Sequence, residues 1–74
     1  MAKANEEDGV YKIVEVVGTS TISWEDAAST AVATASKTLR DLRIAEVTKM
    51  DMKVDEGKVV AYRARVSLSF KYAP

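Results

Sequence analysis

Glu15, Glu46, Asp51, Arg63 and Arg65 are the residues with which this chain could do polar chemistry, and the set is narrow. There is no His, so the usual neutral-pH acid–base group and the commonest zinc ligand are both missing. There is no Cys, which removes disulfides, thiol catalysis and Cys-based zinc sites. Ser20, Ser23, Ser29 and Ser36 therefore have no base but Lys to activate a hydroxyl. Gly18 stands alone, without the companions of a phosphate-cradling loop. Hydrolysis by a carboxylate pair needs a cleft, which a domain with one helix hardly provides. The inventory speaks against an enzyme and for a protein that binds, through oxygen ligands or through surfaces. Strand parity puts Glu15 and Glu46 on one polar sheet face, with Asp51 further along the second strand. Arg63 and Arg65 fall between the two glutamates, where the four could form a salt-bridge ladder. Glu25 and Asp26 read as partners of a helix dipole, and Asp55 and Glu56 as solvated turn residues. Trp24 reads as a packed or interface aromatic, and Met50 and Met52 as gap-filling apolar residues.

The elements that must position these residues are few. Seventy-four residues at 8.1 kDa allow one small domain, and at that size folding hides only about 60% of the unfolded surface. Apolar types make up 47%, yet 11 of those residues are Ala, which bury little area. Without disulfides or a Cys/His metal site, oligomerisation is the support that remains, with or without an oxygen-ligated ion. Eleven basic residues balance eleven acidic ones. A nucleic-acid binder usually carries a basic excess, so no nucleic-acid partner is expected. No apolar run approaches the length of a membrane span and the N-terminus lacks an apolar signal core, so the expectation is a soluble, cytoplasmic protein without a membrane partner.

Residues 1–9 are polar and aperiodic and read as a flexible N-terminal arm; 10–74 read as a single domain. Val10 to Val17 is a β-branched strand bounded by Gly18, and Gly18-Thr19-Ser20-Thr21 is a turn signal. Ser23 opens a helix over about 24–40 as N-cap, with Asp26 reaching back as in a short capping box. Its apolar stripe is Ala28, Ala31, Val32, Ala35, Leu39 and Leu42. Ile44 to Lys53 is a second strand, Asp55-Glu56-Gly57 a hairpin connection, and Lys58 to Tyr72 a third strand. That last strand alternates strictly: Val60, Tyr62, Ala64, Val66, Leu68, Phe70 and Tyr72 face one way. The fold class is α+β, β-α-β-β, a three-stranded antiparallel-type sheet around one helix with the last strand in the middle. One helix covers only part of so long a strand, so neighbouring subunits are expected to cover the rest.

Tyr11-Lys12-x-Val14-Glu15-x-Val17-Gly18-Thr19-Ser20, the Ala-rich helix ending Lys37-Thr38-Leu39-Arg40, Glu46-Val47 and the alternating closing strand resemble the dodecins. The resemblance covers residues 11–72. It implies a hollow homododecameric shell of tetrahedral symmetry that binds or stores small ligands. In the flavin-binding dodecins a Trp before the Glu-Val pair stacks on the isoalloxazine ring, and a Gln after a Tyr on the last strand bonds its pyrimidine edge. Here those positions hold Ile44 and Arg63, and a nearby Arg is replaced by Asp51. Losing the ring removes the π contact, and a guanidinium offers no acceptor to a ring N–H. Ser23-Trp24-Glu25, the Asp51-Met52 pair and the missing stacking Trp resemble the calcium-dodecin branch.

That resemblance makes calcium the implied cofactor and flavin (FMN, FAD or riboflavin) the disfavoured one. Calcium takes six to eight oxygen ligands. No Asp-x-Asp-x-Asp-Gly loop occurs, so a site would draw one or two carboxylates from each of several subunits, with Glu15 and Glu46 the candidates. An alternative is a flavin or nucleotide carrier in which Ile44 packs on a ring and Arg63 pairs with a phosphate. A third reading makes the acidic arm at 1–9 an adaptor for a protein partner.

Overall fold

The computed structural model describes residues 9–72; the arm expected over 1–9 therefore lies, but for Gly9, outside the described residues. The elements run β1 (Val10–Ser20), α1 (Trp24–Ala35), β2 (Leu42–Asp55) and β3 (Lys58–Tyr72). The sheet order is β1-β3-β2, with both outer strands antiparallel to the central β3. The order, the hairpin and the bounds of β3 follow the sequence reading. Glu56 (φ 50) and Gly57 (φ 76) form the two-residue loop between Asp55 and Lys58. Positive φ at both positions matches the right-handed strand twist.

Three local readings are corrected. Gly18, Thr19 and Ser20 are strand, not turn. Gly18 is needed because the helix lies directly on it: a Cβ there would sit 2.0 Å from the Ala27 carbonyl oxygen and 3.0 Å from the Ala31 Cβ. The chain turns one step later, around the Ser20 hydroxyl. That hydroxyl accepts from the Ile22 N–H at 2.9 Å and the Ser23 N–H at 3.4 Å, and donates to Asp26 Oδ2 at 2.7 Å. Ser23 does cap the helix, accepting from the Asp26 N–H at 3.0 Å. The back-reach of Asp26 is diverted, however, because its carboxylate is held by Ser20. The helix stops at Ala35 rather than near 40. Ser36 turns its hydroxyl onto the Val32 carbonyl at 2.8 Å, and Thr38 and Leu39 both donate backbone N–H to Ala35 O. Such local bonds compete with helix continuation. Asp41 then adopts a left-handed φ of 57 and starts the return.

The core is very small. Its buried apolar side chains are Ala27, Ala31, Ala64, Val66 and Leu68, with Val16, Ala28, Val32, Ala35, Leu39 and Leu42 half-packed around them. Ala27 was absent from the expected stripe. α1 lies over β1 and β3 and barely reaches β2. The apolar face of β3 is covered only in its middle, as expected from one helix on a fifteen-residue strand. Met50 and Met52, read as gap-filling, are exposed instead, Met50 at 60%. The chain is drawn out to 60 × 20 × 17 Å with a radius of gyration of 15.3 Å, where a compact chain of this length would have about 11 Å. Among the described residues no helix is long and apolar enough to cross a membrane.

Candidate functional site

The strand register sorts the sheet into two faces. Ala64, Val66 and Leu68 turn toward the helix, so Arg63, Arg65, Ser67 and Ser69 face away from it. On this open face each β3 residue is flanked by one residue of β1 and one of β2. Arg63 lies between Thr19 and Asp51, and Arg65 between Val17 and Lys49. Ser67 lies between Glu15 and Glu46, and Ser69 between Ile13 and Ile44. Asp51 reaches this face because Thr48 is an extra residue in β2, where the register shifts between Val47 and Lys49.

Asp51 and Arg63 meet as a fork. Nε donates to Oδ1 at 2.7 Å and Nη2 to Oδ2 at 2.8 Å, between side chains that remain half exposed. The hydrogen bonds from Arg63 hold the Asp51 carboxyl below its ordinary 3.8. Lost hydration opposes them, while the charges of Arg63 and then Arg65 add to the lowering. The same bonds and charge raise Arg63 above its ordinary value. The expected ladder is thereby corrected: Arg63 spends its fork on Asp51, and neither Glu15 nor Glu46 forms an ion pair with Arg63 or Arg65. The register explains this, since both glutamates sit opposite Ser67, one row beyond Arg65.

Of the candidate residues, the structure thus joins Asp51 to Arg63 and places Glu15 and Glu46 in one row. It does not bring Ile44 to Arg63. Six residues of β3 separate their rows, a distance of about 20 Å. Glu15 and Glu46 are separated by two strand spacings, about 10 Å at the backbone. Both are exposed oxygen donors with a hydroxyl between them. Hard cations favour donors of this kind, but among the described residues no three acidic side chains gather to hold a metal ion. Two carboxylates are far short of the six to eight oxygen ligands that a calcium ion takes.

Trp24 is a packed aromatic. Its indole Nε1 donates to the Asp51 carbonyl oxygen at 3.0 Å, and its ring meets Tyr62 edge-on with centroids 5.1 Å apart. It ties the start of α1 to β2 on the helix side, behind the Asp51–Arg63 fork. Beside it an open groove of about 560 Å³ runs between helix and β2, lined by Trp24, Glu25, Ala28, Val47 and Met50. Lys49, opposite Arg65, was not singled out from sequence. The signal was the bulge at Thr48, which strict alternation conceals.

With this geometry in place, the likenesses are informative. The family model described as Dodecin matches residues 10–73. The chain is 43% identical over 65 residues to the calcium dodecin of Mycobacterium tuberculosis, covering 88% of this chain and 92% of that one. It is 40% identical over 62 residues to the dodecin of Thermus thermophilus, covering 84% and 90%. The structure of dodecin from Streptomyces coelicolor matches with a TM-score of 0.84 at 34% identity, over 90% of this chain and 96% of that one. The crystal structure of the M. tuberculosis calcium dodecin, described as having a novel calcium-binding site, gives a TM-score of 0.77 over 88% and 93% of the chains. The β-α-β-β order, the helix seated on Gly18 and these matches agree: the chain belongs to the dodecin family.

Proposed function

We propose that the protein is a homododecameric hollow shell that takes up small ligands or cations, with calcium rather than flavin as its ion or ligand. It is a binding protein, not an enzyme. The observation that carries the shell is the bare helix-side face of β2. Val47, Met50 and Met52 lie exposed there beside a core of five buried side chains, three of them Ala. So little burial does not offset the entropy of ordering the chain, and copies that cover this face supply the rest.

Calcium is supported by the likeness to a protein named calcium dodecin and by the free carboxylates Glu15 and Glu46 on the open face. These two would hold the ion, supplying hard, anionic oxygens, and symmetry would bring further copies of the same residues to it. The flavin reading is weakened by two features of this chain. Ile44 offers no ring to stack, and the Arg63 fork that would meet a phosphate is already filled by Asp51.

Native mass with metal analysis tests both halves. About twelve chains with bound calcium is the expected result, and a stable monomer overturns the shell. Calorimetric titration with calcium should show weaker binding for Glu15→Gln and Glu46→Gln than for the unaltered chain. Identical isotherms would remove both residues from the site. Protein that purifies yellow and quenches flavin fluorescence would restore the flavin alternative.

A further inference from the structure

Arg65 and Lys49 stand directly opposite each other on the open face, with Val17 on the other side of Arg65. Like charges placed opposite across strands repel, and such a pair persists where something offsets the repulsion. Neither neighbouring row offsets it by an ion pair: Asp51 gives both oxygens to Arg63, and Glu15 and Glu46, one row to the other side, form none with Arg65. Lys49, Asp51, Arg63 and Arg65 therefore form a two-by-two patch with three positive charges and one negative, bordered in the next row by Glu15 and Glu46. These four side chains and Val17 line a shallow recess on the sheet.

We propose that this recess is an anion site whose ligand is a phosphate group, held by Arg65 and Lys49. Arg65 presents an unspent planar fork suited to two phosphate oxygens, and Lys49 supplies a point charge from the facing strand. Asp51 fixes the Arg63 guanidinium beside them and takes up its fork, so this pair walls the recess while Arg65 and Lys49 supply the binding charge. The residues come from the two most extensively paired strands of the sheet, so the recess is preorganised rather than assembled on binding. The site differs from the flavin alternative, in which Arg63 was the phosphate partner, and it shares no residue with the Glu15 and Glu46 row. The calcium reading and this one accordingly fail independently.

The test is calorimetric titration of the full-length protein with inorganic phosphate, at ionic strength matched with sodium chloride. Saturable binding is expected, weakened at least about ten-fold in Arg65→Gln and in Lys49→Met. Arg65→Lys keeps the charge but loses the fork and should fall between Arg65→Gln and the unaltered protein. Thermal midpoints of the variants without phosphate check that they fold. Absence of saturable binding, or binding unchanged by Arg65→Gln and Lys49→Met in folded protein, overturns the site. So does a heat fully reproduced by chloride, which would reduce the patch to general screening.

Discussion

Protonating Asp51 removes its charge and turns one of the two accepting oxygens of its fork with Arg63 into a hydroxyl, so this residue fixes how the sheet face responds to acid. Its carboxyl sits below the ordinary 3.8 in the folded chain, which means that folding favours the charged form. The stabilisation is therefore fully present above the unfolded value and is lost as pH falls through the lower folded one. Comparing the unaltered protein with Asp51→Asn by thermal unfolding should show the unaltered protein more stable at pH 6. The gap should close at pH values below 3.8. Because both side chains are half exposed, it should also shrink in about 1 M salt. A gap independent of pH would mean that Asp51 acts through packing and not charge. The sequence showed Asp51 and Arg63 as separate candidates but not as a pair. Counting by twos from Glu46 puts Asp51 on the wrong face, and only the extra residue at Thr48 restores it.

At the scale of elements, the contact between α1 and β1 depends on a missing side chain. Gly18→Ala places a Cβ 2.0 Å from the Ala27 carbonyl oxygen, a backbone atom that cannot swing aside. The helix must lift, at a cost of about 2 kcal/mol or more in unfolding free energy. Gly57→Ala is the comparison. Its Cβ would meet nothing within 4 Å, and the strain comes only from its φ of 76, so the loss should be nearer 1 kcal/mol. Chemical denaturation of the two variants checks the order; equal losses would show that helix contact at Gly18 is not what demands glycine. This also explains which elements were legible. β3 could be read residue by residue because alternation on a half-buried strand is a local signal, and its place in the middle followed from chain order. Gly18 was misread because a glycine needed for tertiary contact looks, in one dimension, like a glycine needed for a turn. The helix end was misread because Leu39 and Leu42 continue the apolar spacing. They reach the core from the connection after the helix and from a strand rather than from further helix.

The whole molecule presents an imbalance that a single chain does not resolve, and Met50 measures it. In one chain Met50 is 60% exposed on the wall of the groove between α1 and β2. If water were its permanent neighbour, Met50→Lys would alter stability by no more than about 0.5 kcal/mol, as surface substitutions usually do. If copies of the chain close that groove, the ammonium is stripped of water without a partner, and the assembly loses several kcal/mol at every equivalent contact. Symmetry multiplies that penalty around the shell, because each copy brings the same residue to the same kind of contact. On the proposed twelve-chain shell, native mass should therefore fall to small species for Met50→Lys. Met50→Leu, similar in volume and apolar, should leave the large particle intact. Retention of the large particle by Met50→Lys would place this groove on the outside. The missing core would then have to come from other uncovered apolar residues, among them Val54, Val59 and Val60 near the hairpin tip.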